Sequence, residues 1–440
     1  MRDLFYELVD RAERLLEGDE VLLANFAAET SDFVRFNRAR VRQAGSVRQA
    51  ELELALVDRG RRAETTIALG GTLDIDFERI AASMRAMRDD FANLPADPYL
   101  LYSEAAVRAE SVRRGRLPAA AEALEAILDA AGGSDFVGIF ASGPIQRGFA
   151  SSRGARLWHE VEAFQLDWSV YHAGDKAVKR SFAAADWDAA EIAARIEASR
   201  AELAHLEHRE RVVPPGEYRA YLAPAAVDEL IGMLNWDGVS ARAQRTHESS
   251  LQHLVAGTAS FAPSVSLTES LEEGLAPAFD HAGFMRPSSI ALIRGGRHAG
   301  ALVCARSEKE FGIPANGADG GESMQAAALA PGALAQADAL AALDTGLYIS
   351  NLWYLNFSDR PACRLTGMTR FASFWVENGR IVAPLAVARF DDSLYRLFGE
   401  RLEALTRERE WMLDTNTYGG RSVRTSRMPG ALVAAMRFTL

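Results

Sequence analysis

The residues most suggestive of metal chemistry lie at positions 245–253, which read RTHESSLQH. Imidazole nitrogens and carboxylates are ordinary zinc ligands. In H-E-x-x-H both rings fall on one helix face, and the glutamate can act as base on a metal-bound water. Here the spacing differs. Leu251 stands four residues after His247, Gln252 five, and His253 six. At about 100° per residue, a six-residue step sets two rings roughly 120° apart around a helix. They could not close on one ion without a break in the helix. Ser249 and Ser250 are also mediocre helix formers. A solvated loop or helix start is expected, with His247, Glu248 and His253 as a displaced metal site in the alternative. The other His-Glu pair, His159-Glu160, has no histidine in the next seven residues.

Thiol chemistry is the next candidate. Cys363 sits in DRPACRLTG between Arg360 and Arg364, whose charge could lower its pKa and make it nucleophilic. The plainer reading is a loop cysteine without a role. Cys304, in AGALVCARS, reads as core in an apolar strand. These are the only two cysteines, which excludes a disulfide framework and suits a reducing compartment. Asp391 and Asp392 are adjacent, so on a helix they would diverge, and a helix cap is expected rather than an acid–base pair. Gly295-Gly296 matches no phosphate-loop pattern and reads as a hairpin turn. Trp353, Tyr354, Phe374 and Trp375 form an aromatic concentration, expected in the core or, alternatively, lining a peptide groove.

The elements that must position these residues follow from length and periodicity. A chain of 440 residues suggests two or three domains, and 48% hydrophobic with 25% charged residues is an ordinary globular balance. The net charge of -11 argues against non-specific nucleic-acid binding and against anionic membrane surfaces. No apolar run reaches eighteen residues, so no membrane span is expected and the location is read as cytoplasmic. Leu4, Phe5, Leu8, Val9, Ala12, Leu15 and Leu16 recur at helical spacing, which predicts an amphipathic helix rather than a signal peptide.

Residues 32–46 alternate as a strand with a turn near Gly45, and Leu52, Leu54 and Leu56 mark a second strand. DRGRR turns into a third. Residues 76–94 predict a helix that Asp76 could cap. A helix over 117–133 should stop at Gly132-Gly133. Residues 135–154 predict two strands around Gly143-Pro144, and 162–185 two more turning at Gly174-Asp175. A charged helix follows. Pro214-Pro215-Gly216 reads as a linker, and 218–236 as strand then helix. Beyond it, glycine-rich turns separate short apolar segments. Residues 317–335 are small and read as a surface loop. Residues 346–358, 372–388 and 429–440 read as strands, and Asn378-Gly379 favours a type I′ hairpin turn. The expected fold is α+β: an N-terminal α/β-layered region, divided as 1–98 and 99–212, then a β-rich C-terminal domain at 213–440.

Three segments together resemble the TldD/PmbA family, known for peptidase partners in bacterial peptide maturation and turnover. FVRFNRARVRQAG looks like its N-terminal strand pair, YLAPAAVDELIGML like the start of its C-terminal domain, and DTGLYISNLWYLNFSDRPACRLTGMTRFASFWVENGRIVAPL like its most recognisable block, with FWVENGRIVAPL the best motif. TldD-type members carry H-E-x-x-x-H on a helix early in the C-terminal domain and a zinc-ligating cysteine near the C-terminus. PmbA-type members (also called TldE) share the fold without these ligands. Here the matching helix, PAAVDELIGMLNW, has no histidine, and Tyr418 stands about where the cysteine would be. The resemblance therefore implies a PmbA/TldE-like chain with no zinc or other cofactor of its own. It would partner a zinc-bearing TldD-type peptidase chain, or itself as a homodimer, and act on unfolded or precursor peptides. Trp353, Asn356, Trp375 and Tyr418 are the candidates for a peptide groove. Asp280-His281 resembles the family's acidic turn and reads as structural. A self-sufficient metallo- or cysteine hydrolase, or a non-catalytic peptide-binding homodimer, stays open.

Overall fold

The structure is a computed structural model describing residues 1–174 and 176–439. Asp175, half of one expected turn, lies outside the described residues. Seven strands form the first sheet: β1 (Val21–Asn37), β2 (Arg40–Asp58), β3 (Arg61–Ala68), β4 (Arg108–Arg113), β5 (Asp135–Ser151), β6 (Arg156–Ala173) and β7 (Lys176–Ala184). Their order is β3-β2-β1-β5-β6, with β4 and β7 sharing the outer edge of β6. β1 pairs with β5 across the expected boundary at residue 98, so the segments 1–98 and 99–212 share one continuous sheet.

Both faces of this sheet are covered. Successive side chains of a strand point to opposite faces. Even-numbered residues such as Phe26, Phe140, Trp158 and Phe164 lie under helices. α1 (Arg2–Glu13) and α2 (Leu73–Asp90) cover one half, and α3 (Ala120–Ala131) and α4 (Ala189–Leu206) the other. Phe5, Leu8, Val9 and Ala12 bury the expected stripe of α1. Odd-numbered residues such as Ile145, Phe149, Leu157 and Val161 face the C-terminal part of the chain, against Leu275, Phe279, Leu413 and Val423.

Three local readings are corrected. Gly45 is not a turn but lies within β2, opposite Phe33; the chain reverses at Arg38 and Ala39, both in left-handed conformation. The Phe33 ring lies where a Gly45 Cβ would be 3.2 Å from it, so the glycine admits an aromatic ring rather than bending the chain. Gly143-Pro144 does not separate two strands. β5 runs through it, and only its pairing to β1 lapses, between Glu29↔Ile145 and Asp32↔Ser142. Asp76 lies inside α2, not at its cap; its buried carboxylate accepts the N–H groups of Gly70 and Gly71, both at 2.8 Å, and so fixes the loop that enters the helix.

After residues 207–215, β8 (Gly216–Leu222) and α5 (Pro224–Gly232) open the C-terminal region. Its thirteen-stranded sheet surrounds a core containing Val227, Leu230, Leu234, Leu347, Phe390 and Met428. The last strand, Thr425–Phe438, is central and pairs with β8, Ala326–Leu329 and Leu402–Leu413. Residues 317–335 are therefore not simply a surface loop. They contain the buried strand Ala326–Leu329, whose alanines fit a crowded interior position that their modest hydrophobicity did not announce. Asp391 and Asp392 sit on strand Arg389–Ser393 rather than at a helix cap. Buried Asp392 accepts the Arg396 Nε–H and the Arg437 N–H at 2.9 and 3.0 Å. Asn378 and Gly379 have φ of 50° and 72°, as a type I′ hairpin requires. The architecture is α+β, and among the described residues no helix is long and apolar enough to cross a membrane.

Candidate functional site

α5 begins at Pro224, whose fixed φ suits the first helical turn. Ala226, Val227, Leu230 and Ile231 are buried in the core. Ala225, Asp228, Glu229 and Gly232 recur at steps of three and four, so they share the opposite stripe, and that stripe lines a cavity of about 410 Å3. Asp167, Lys179 and Ser181 of β6 and β7 form one wall. Asn351, Asp414, Arg424 and Ser426 contribute others. The cavity thus lies between the odd-numbered face of the first sheet and the C-terminal region.

Its electrostatics are dominated by carboxyls. Glu229 accepts the Leu352 N–H, and burial, with the neighbouring Asp228 charge, pushes its pKa up to about 8. Asp228 is also raised, first by burial and further by Asp414, against a hydrogen bond from Ser426. Across the cavity Lys179 Nζ lies 2.8 Å from both carboxylate oxygens of Asp167. Asn351 Oδ1 is buried and has no hydrogen-bond partner among the described residues. This arrangement can exchange protons near neutral pH and can hold amide N–H groups or an ammonium group. A catalytic zinc ion needs at least three protein ligands, ordinarily histidine with acid or cysteine. The lining supplies carboxylates, amides, hydroxyls, an amine and a guanidinium, a donor set that does not fit such an ion.

Asp228 and Glu229 were not singled out from sequence. The available signal was an acidic pair on an otherwise apolar helix, with Ala225 and Gly232 one turn to either side.

The expected candidates lie elsewhere. His247, Glu248 and His253 do share an open groove, with Asp237 and Arg360. His247 has φ 63° in the turn after the short helix Ala241–Arg245. Its Nδ1 is 2.9 Å from Gln252 Nε2, and His253 Nδ1 is 3.1 Å from Thr258 Oγ1, so each ring is held by its own neighbour. Glu248 accepts the Thr246 hydroxyl. Trp353 and Asn356 are exposed on strand Asn351–Asp359, with the Arg370 guanidinium 4.0 Å from the Trp353 ring centre. Trp375 is buried beneath Arg211, and its Nε1 donates to Glu377 at 2.6 Å. Tyr418 is 97% exposed beside Gly419, whose carbonyl accepts Gln49 Nε2 at 2.7 Å. Trp353 borders an open cavity with Met368, Arg370 and Val387.

The thiol reading is corrected. Cys363 is fully buried, and burial pushes its pKa up to about 12, opposite to activation. Arg360 donates instead to the Trp236 carbonyl, and Arg364 lies by Asp391. Cys304 is buried but precedes helix Ala305–Phe311 rather than lying in a strand. His159 is core, with Nε2 2.8 Å from the Leu275 carbonyl and a pKa lowered to about 4 by burial. Asp280 accepts the N–H groups of Ala282 and Phe284, both at 2.9 Å, and so closes its own turn.

Comparison with known proteins agrees with the architecture. Residues 215–440 match the PmbA/TldA metallopeptidase C-terminal domain, and the chain belongs to that family. It is similar over 99% of its length to TldE from Thermococcus kodakarensis, with 13% identity and a TM-score of 0.80, covering 100% of that chain. A Thermotoga maritima protein named as a modulator of DNA gyrase gives 16% identity and a TM-score of 0.79, with 99% of this chain and 100% of that one covered. A Bacteroides thetaiotaomicron protein named likewise gives 14% and 0.75, with 99% and 98% covered. At these identities the likeness is one of fold. No functionally curated protein matches the sequence significantly.

Proposed function

We propose that this chain is the non-zinc partner subunit of a TldD-type metallopeptidase that cleaves unfolded or precursor peptides. The observation that carries the reading is the cavity stripe of α5. By resemblance, a zinc-bearing member presents H-E-x-x-x-H from this helix. Here the same helix presents Asp228 and Glu229 to the cavity, between Ala225 and Gly232. In this reading, zinc on the partner chain supplies the activated water. The residues of this chain bind and orient: Asp228, Glu229 and the amide of Asn351 hydrogen-bond peptide main chain, and the Asp167–Lys179 pair holds the opposite wall in place.

A second reading, hydrolysis by this chain alone, is favoured by Glu229, a carboxyl that titrates near neutrality and could serve as general acid or base. Elemental analysis and peptide assays separate the two. The chain is purified alone and after co-expression with a chain carrying H-E-x-x-x-H. The partner reading expects zinc and cleavage of a denatured polypeptide only in the mixture, with about one zinc per heterodimer. Stoichiometric zinc in this chain alone, lost on His247→Ala, would overturn it in favour of the displaced site. Cleavage by the isolated chain, lost on Glu229→Gln, would favour the second reading.

A further inference from the structure

The same odd-numbered face of the first sheet carries another cavity, of about 340 Å3, roofed by Pro277, Phe279 and Asp280. Strand register explains its floor. Arg147 of β5 pairs with Ala27 of β1, which pairs with Glu51 of β2. Adjacent strands lie about 4.8 Å apart, so Arg147 and Glu51 begin about 10 Å apart, across an alanine too short to fill the space between them. The next row, Phe149–Asn25–Glu53, adds a second carboxylate on the Glu51 side.

The charges are separated along this floor. Arg147 is drawn largely into the protein, and burial lowers its pKa against the opposing charge of nearby Glu29, a carboxylate already held by Gln49 and the Arg421 N–H. Its one side-chain hydrogen bond among the described residues runs from Nη1 to the Gln146 carbonyl at 2.8 Å, which leaves the rest of the guanidinium fork uncommitted. The other arginine in the lining, Arg286, is spent on buried Glu269 at 2.6 Å. Asp280 is occupied by its own turn, and Asp319 accepts Gln325 Nε2 at 2.8 Å. Glu51 is exposed at the mouth, and Glu53 lies 3.5 Å from the amide of Asn25 and 3.7 Å from Arg62 Nη2, which is nearer to Glu64. A desolvated guanidinium at one end suits a carboxylate held bidentately. Two carboxylates toward the other end suit an ammonium.

We propose that this cavity binds a short linear peptide of two or three residues, with its C-terminal carboxylate on Arg147 and its N-terminal ammonium toward Glu51 and Glu53. An extended chain spans at most about 3.3–3.6 Å per residue, so a peptide of this length is of the same order as the roughly 10 Å between the backbone positions that carry the two charges. The volume lies at the low end of the range for small-ligand pockets. The inference rests on this second cavity and not on the reading of the α5 cavity.

Isothermal titration of the full chain with trialanine tests it, beside N-acetyl-trialanine and trialanine amide. Binding of trialanine is expected, weakened at least tenfold by blocking either end. Arg147→Gln should weaken it comparably, Arg147→Lys less, and Glu51→Gln with Glu53→Gln should abolish the penalty for N-acetylation. Circular dichroism of each variant confirms folding before titration. Equal binding of the blocked peptides, no binding by the native chain, or undiminished binding by folded Arg147→Gln would overturn the proposal. Loss on Glu229→Gln with retention in Arg147→Gln would place the peptide in the α5 cavity instead, and overturn it too.

Discussion

Glu229 shows how a single residue's chemistry is set by its enclosure. On an exposed helix face its carboxyl would titrate near 4.5; lining the cavity beside Asp228, it titrates near 8. The folded chain then holds this proton more tightly than the unfolded chain does. Glu229 therefore opposes folding increasingly as pH rises from about 4.5 toward 8, and not below that window. Glu229→Gln removes the penalty. Relative to the native chain, the variant should gain about 1–3 kcal/mol at pH 8 and almost nothing at pH 4.5, taking roughly 1.4 kcal/mol per pKa unit and allowing for solvent in the cavity. Urea denaturation at the two pH values measures the difference. An equal gap at both would mean that Glu229 is not the group responsible. Cys363 makes the same point in reverse: neighbouring arginines in sequence suggested activation, but complete burial raises the thiol pKa.

Among the elements, β5 carries the most unusual demand. It stays a single strand through Gly143-Pro144 because β6 pairs with it continuously on the other side, from Asp135↔Tyr171 to Ala150↔Arg156. Proline gives no ladder donor, and the lapse toward β1 falls where that donor would be missed. Gly143 has φ 141°, and a Cβ there would lie 2.0 Å from the Thr30 carbonyl oxygen. Gly143→Ala should accordingly destabilise the chain by about 3 kcal/mol or more, combining backbone strain with a backbone clash. Denaturant midpoints compare the two chains. A change below about 0.5 kcal/mol would show that the strand can shift to admit the methyl group.

At the scale of the whole molecule, this irregularity is where the two regions interlock. The connection between Leu402–Leu413 and Thr425–Phe438 reaches back to the first sheet, and Arg421 donates to the carbonyls of Gly143 and Ala163 at 2.9 and 2.7 Å. Its backbone N–H donates to Glu29 at 2.9 Å, and burial pushes its pKa down to about 10. Arg421→Met removes the guanidinium donor from both carbonyls. The loss should be about 2–4 kcal/mol. Amide hydrogen exchange should accelerate at residues 29–32 and 414–424 while α1 and α2 stay protected. Unchanged exchange at both segments would mean that apolar contacts alone hold the regions together. The same interface encloses both cavities, so its loosening should also weaken trialanine binding.

Much of the secondary structure was legible because its causes are local. Helical spacing in α1, the glycine stop after α3 and the Asn378-Gly379 hairpin depend on residues within a few positions of one another. The resemblance to a known family rested on contiguous blocks for the same reason. Gly45, Gly143-Pro144 and residues 317–335 were misread because a glycine facing an aromatic ring, a kink held by a neighbouring strand and a buried alanine strand each depend on a partner far away in the chain. The two cavities lie further still from local reading. Arg147 and Glu51 face one space only through the register of three strands, and α5 meets Lys179 only when the sheets dock. The sequence by itself determined the residue types and the periodicity of the elements. Which charges are enclosed together was decided by tertiary structure, because burial and strand register are properties of contacts between distant segments.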